Sequence, residues 1–155
     1  MKKLVLLAIP SLMLLTAAGD PKGFAIWKSH ELQAFSTKLS PKVNQQKIAT
    51  ETLADYGYYY TQMAHREGSG EAELHQNWND IFVIESGEGT VVVGGSVDSP
   101  RDTGSGEVRG KAVTGGENHP VKPGDVVHIP ANTPHQMLVP KGAHVTYFVV
   151  KIRKP

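Results

Sequence analysis

Pro123-Gly124-Asp125-Val126-Val127-His128-Ile129-Pro130-Ala131-Asn132-Thr133-Pro134-His135 is the stretch on which the fold turns. Pro and Gly open it, Val126 to Ile129 reads as a short strand, and Pro130 to Pro134 breaks the chain again before His135. Earlier, Glu73-Leu74-His75-Gln76-Asn77-Trp78-Asn79-Asp80 runs into the apolar strand Ile81-Phe82-Val83-Ile84 and closes at Gly87. Each stretch sets a histidine beside a short apolar strand.

Working outward, the expected elements are mostly strands. Ile48 to Leu53 alternates, and Tyr58 to His65 is rich in aromatic residues that suit a pleated surface. Glu71 to His75 resumes after Gly68-Ser69-Gly70, and Ser86-Gly87-Glu88-Gly89 turns tightly into Thr90 to Val93. Gln136 to Val139 and Val145 to Ile152 complete the set. Short strands at close spacing argue for an all-β sandwich or barrel. Gly94 to Gly116 holds seven glycines and reads as a long loop with at most one ragged strand pair around Glu107 to Val113. One helix is expected. Leu32, Phe35 and Leu39 share a face after Ser29, a residue able to cap, and Ser40-Pro41 ends it.

The chain starts with Lys2-Lys3, an apolar run from Leu4 to Leu15, and the small residues Thr16-Ala17-Ala18-Gly19. That is the layout of a secretory signal peptide over 1–19, and the apolar run is too short for stable membrane anchoring. The expected location is therefore secreted or periplasmic. An N-terminal segment, 20–57, would carry the helix and the first strand, and 58–155 the barrel.

At 155 residues the prior is one domain with its own core. Two of the sixteen basic residues lie in the leader, leaving fourteen against fifteen acidic ones. Such a balance gives no basic footprint for nucleic acid. The chain has no cysteine, which excludes disulfides, thiolate metal sites and cysteine nucleophiles. Any metal must be held by nitrogen and oxygen.

The two stretches resemble the paired motifs of the cupin superfamily. Gly124, five residues, Pro130, then Asn132 where the family often has glycine, and finally His135 match the second motif's spacing. His75 stands where the first histidine of the first motif would stand, and Gly87 follows Asp80 as the family's closing glycine follows its glutamate. Asn77 sits where a second histidine is usual, and the spacer from Asn77 to Asp80 is shorter than the family's. The resemblance implies a jelly-roll barrel, or double-stranded β-helix, from about Tyr58 to Lys151. It also implies a divalent transition metal (iron, manganese, nickel or zinc) held by His75, Asp80 and His135. Two imidazoles and one carboxylate leave coordination positions open for substrate.

Residues two apart on a strand share a face, so His75 and Asn77 are both expected to look inward. Asn77, Trp78, His128, Tyr59 and Tyr147 are the expected pocket residues around the metal, with Trp78 either roofing the pocket or packing on a loop. His65 reads as a surface partner of Glu67, while His119 and His144 lie in turn-rich, exposed stretches. A small-molecule ligand and pairing into a homodimer through sheet edges are expected. Two functions stay open. One is a metal-dependent enzyme of dioxygenase, isomerase or lyase type; the other is a metal-free pocket that binds a sugar or a carboxylate.

Overall fold

The computed structural model describes residues 20–155. The expected leader, 1–19, lies outside the described residues. Helix α1 (Ser29–Leu39) passes into one 3₁₀ turn, Ser40–Lys42. Thirteen strands follow: β1 (Ile48–Asp55), β2 (Tyr59–Arg66), β3 (Ala72–His75), β4 (Trp78–Gly87), β5 (Gly89–Val93), β6 (Ser96–Val97), β7 (Arg101–Gly104), β8 (Glu107–Gly110), β9 (Val113–Thr114), β10 (Glu117–Val121), β11 (Val126–Ile129), β12 (His135–Leu138) and β13 (Val145–Arg153).

Two sheets face each other. The first has the order β1-β2-β13-β4-β11 and the second β10-β5-β12-β3-β8-β7, while β6 and β9 pair as a separate ribbon. All pairings are antiparallel. The second sheet has a seam: β12 meets β3 at one register pair only, His135 with Glu73.

Strand alternation divides the side chains between two cores. Ala64, Phe82, Ile84, Tyr147 and Val149 point between the sheets, where they bury against Val91, Ile129 and Met137. Met63 and Phe148, one residue out of phase, point outward beneath α1 and pack with Leu32, Leu39 and Ala49. The helix is therefore held by its apolar face, as its spacing implied. Its cap falls one residue earlier than Ser29: the Glu31 carboxylate accepts the Lys28 backbone N–H at 3.0 Å, whereas Ser29 Oγ accepts from Gln33.

Two backbone positions fix the turns. Gly87 has φ +74°, and a Cβ there would lie 2.0 Å from the His144 carbonyl oxygen. Asn132 has φ 63°, the left-handed conformation that asparagine tolerates best among residues with side chains. That explains how asparagine replaces glycine in the second motif.

The Gly94–Gly116 stretch is more ordered than its composition suggests. It contains β6 to β9, and the β7–β8 hairpin extends the second sheet beyond β3. All four β7 residues are exposed, so no apolar alternation marks it. β10 carries no apolar signal for a related reason: it is a polar edge strand that accommodates Pro120. β1, placed with the N-terminal segment, pairs with β2 along its length and forms an edge of the first sheet.

Candidate metal centre

The two motif stretches are joined by their turns. Asn132 donates its backbone N–H to the His75 carbonyl at 2.8 Å, and Ala131 donates to the Asn79 side chain at 3.0 Å. His75 ends β3 and His135 begins β12. Both are 3 % exposed, and their ring centroids lie 5.0 Å apart.

The anchoring of each ring decides what its other nitrogen can do. His75 Nδ1 meets Glu107 Oε2 at 2.6 Å, and His135 Nδ1 donates to the Thr133 carbonyl at 3.0 Å. These contacts place the Nδ1 protons and turn both Nε2 atoms toward one point. Neither buried Nε2 has a hydrogen-bond partner among the described residues.

A carboxylate outside the expected set, Glu73, also reaches the two rings. Glu73, His75 and His135 each offer a ligand atom, all within 4.8 Å of one another. Glu73 Oε2 lies 3.4 Å from His75 Nε2 and 3.9 Å from His135 Nε2. Its other oxygen is held by Arg109 at 2.6 Å and Arg66 at 3.2 Å. Asp80, the expected carboxylate, faces the same point: Oδ2 is 3.3 Å from His75 Nε2 and 3.6 Å from His135 Nε2. Lys151, buried on β13, holds it at 2.8 Å through Oδ1 and 3.1 Å through Oδ2.

The register of the first motif changes accordingly. β3 ends at His75, so the strand parity that would have turned Asn77 inward does not reach it. Asn77 is exposed and donates to the Ser105 carbonyl at 3.2 Å. Glu73, two residues before His75 on β3, shares the inward face instead. Measured from His75, the spacer to Asp80 is longer by two residues, which removes the shortfall seen when Asn77 is taken as the second ligand.

A cavity of about 440 Å³ opens beside these groups. Tyr147 lines it, together with Tyr60, Gln62, Phe82 and Val149. The other expected pocket residues fall elsewhere. Tyr59 points outward and stacks on Tyr56 at 4.6 Å, because Tyr60 takes the inward position. His128 is exposed, since Ile129 is the residue that β11 buries. Trp78 meets the Tyr60 ring edge-on at 5.4 Å, with Arg153 over its face, so it braces a wall residue. His65 does meet Glu67, at 3.3 Å, but it is buried and bonds Thr146 Oγ1 at 2.7 Å. His119 and His144 are exposed. A hollow of about 470 Å³ near the β4–β5 turn, bordered by Glu88, Lys122 and Asp125, gathers no imidazole.

The electrostatics separate the two rings. Burial lowers the His75 pKa, but the Asp80 and Glu73 carboxylates outweigh it and lift the value to about 9. Burial dominates at His135 and pushes it down. Burial also opposes ionisation of Glu73 and Asp80. For Glu73 the imidazole of His75 and the guanidiniums of Arg109 and Arg66 overcome it. For Asp80 His75 and Lys151 do so, and both acids are held below their ordinary values.

The donor set fits a divalent transition metal on its own chemistry. Two fixed imidazoles whose inward nitrogens face carboxylate oxygens are nitrogen and oxygen ligands of the type such ions take.

This architecture, two facing antiparallel sheets with paired histidine motifs at one mouth, is the cupin fold. Solved structures agree. TT1209 from Thermus thermophilus superposes with a TM-score of 0.55 at 17 % identity, covering 77 % of this chain and 94 % of that one. A predicted oxalate decarboxylase from Thermotoga maritima gives 0.51 at 16 % identity, covering 69 % and 81 %. The polyketide cyclase RemF from Streptomyces resistomycificus gives 0.50 at 18 % identity, covering 71 % and 69 %. By sequence, the chain matches no family model and no curated protein. Identities this low establish the fold and leave the activity to the site.

Proposed function

We propose that the chain is an exported, metal-dependent cupin that acts on a small organic substrate. Glu73, His75 and His135 would hold a divalent transition metal (iron, manganese, nickel or zinc), with Asp80 Oδ2 as a further oxygen donor. The observation that carries this reading is the pair of buried Nε2 atoms. Each belongs to a ring anchored through Nδ1; neither makes an aligned hydrogen bond among the described residues, and both face the Glu73 and Asp80 carboxylates.

When bound, the metal supplies Lewis-acid chemistry to an oxygen-bearing substrate. The chain's own residues do the rest. Glu107 and the Thr133 carbonyl orient the two rings, and Arg66 and Arg109 keep Glu73 ionised with one oxygen turned to the centre. Phe82, Tyr147 and Val149 exclude water from the cavity wall, while Tyr60 and Gln62 offer polar contacts at the open side. A dioxygenase, an isomerase or a lyase could be built on this frame, because fold does not fix the reaction.

Export rests on the leader-like 1–19 segment. No described helix is long and apolar enough to cross a membrane. Homodimer formation rests on the open edges of the first sheet, β1 and β11, the second of which exposes Val126 at 65 %.

Elemental analysis of protein purified without a histidine tag tests the centre. About one metal per chain is expected, with a sharp loss in folded His75→Ala, His135→Ala and Glu73→Gln variants. Absence of metal from both freshly purified and metal-reloaded protein would instead support a metal-free binding pocket. One observation favours that alternative: the Lys151–Asp80 pair already gives the carboxylate a cation.

A further inference from the structure

We propose that this centre is built for an anionic substrate, a small carboxylate whose charged oxygen is read by Lys151; the proposal rests on the metal reading above. The cavity is lined by six charged side chains: Glu73, Asp80, Glu107, Arg66, Arg109 and Lys151. Three are acids and three are bases, so once ligation has made both imidazoles neutral their formal charges cancel. A divalent ion in the centre therefore adds two uncompensated positive charges to a half-enclosed, low-dielectric site. Such charge is unfavourable until an anion neutralises it, and a neutral ligand leaves it standing.

Lys151 supplies the specific contact. Lys151 is 9 % exposed and sits on the inward face of β13, between Tyr60 of β2 and Asp80 of β4 in register. An ammonium carries three N–H donors. Both Lys151 contacts among the described residues go to the one carboxylate of Asp80, which leaves a donor for the cavity. That carboxylate in turn touches the space between the two Nε2 atoms. Lys151 itself also lines the cavity, beside Tyr60 and Gln62, so an anion lying there meets its remaining donor without passing Asp80. Core stability does not call for this arrangement, because well-packed apolar residues serve a sheet interior equally well. A cavity of about 440 Å³ lies toward the small end of the range for ligand sites, suited to a compact acid.

Lactate and its neutral counterpart lactamide are matched probes. Titration calorimetry on zinc-loaded full-length protein is expected to show lactate binding at least about tenfold more tightly, the size of one charge-assisted hydrogen bond. Lys151→Met and Lys151→Gln should retain zinc by elemental analysis and lose about tenfold in lactate affinity, with little change for lactamide. Lys151→Arg should recover most of it. Equal binding of the two probes, or undiminished lactate binding in either zinc-retaining neutral variant, overturns the proposal while leaving the metal centre intact. Failure of the wild-type protein to take up zinc or any other divalent transition metal overturns both.

Discussion

Glu107 Oε2 lies 2.6 Å from His75 Nδ1, so a residue of the β7–β8 hairpin fixes the ring orientation of a candidate ligand on β3. Arg109, two residues on, ties the same oxygen to Glu73 with contacts of 3.2 and 2.6 Å. Supports of this kind are worth about 10–100-fold in metal affinity. Glu107→Leu is expected to weaken metal binding by that factor while leaving the far-UV circular dichroism unchanged. Competition with a chromophoric chelator measures it, and equal affinity would show that His75 needs no such anchor.

In metal-free protein the raised His75 pKa links stability to pH. A histidine that holds its proton more tightly when folded stabilises the fold fully below its unfolded value of about 6.5. That contribution is lost as pH rises through about 9. The groups facing it are Asp80, Glu73, Glu107, Lys151 and His135. Of these, Glu73 and Asp80 are shifted down from carboxylate values and His135 down from imidazole values, so their effects fall below this window. Thermal unfolding with a chelator present should show wild-type protein losing stability between pH 6.5 and 9 relative to His75→Gln. A parallel pair of curves would contradict the assignment.

Tyr147 donates structure to the site through Arg66. Its hydroxyl accepts the Arg66 Nε–H at 3.1 Å, and both residues are buried. Tyr147→Phe removes the acceptor and strands a buried charged donor, at about 1.5–3 kcal/mol. Denaturant unfolding with an unchanged m-value should report that loss.

Two glycines with positive φ separate strain from crowding. Gly124→Ala meets open space, so only the left-handed backbone is penalised, by about 1–2 kcal/mol. Gly87→Ala adds a collision with the His144 carbonyl and is expected to destabilise by clearly more, or to prevent folding. Equal effects by chemical denaturation would mean that the turn beside Gly87 can yield.

The second motif was legible almost residue by residue, because its turn chemistry and strand are local: β11 spans Val126–Ile129 as read. The first motif was read two residues out of phase. Nothing in Gln76-Asn77 announces that β3 stops at His75, so strand parity stops short of Asn77 without a local signal. Glu73 was nevertheless readable, since any strand that turns His75 inward turns Glu73 inward too. Glu107 and Arg109 were not. They lie in a glycine-rich stretch whose strands are held by backbone pairing with β3 and present no apolar face. Lys151 was hidden for another reason: its meeting with Asp80 depends on the β13–β4 register, a long-range pairing that no local pattern encodes.

The seam in the second sheet has a mechanical consequence. The lone register pair stitching β12 to β3 is His135 with Glu73, two of the three candidate ligands. An ion gripped by both would act as a rivet across the weakest join of the barrel. Loading should then slow amide exchange along β3 and β8 far more than along β13, which is paired on both flanks. An ion that polarised a substrate there would also set how often the barrel wall opens.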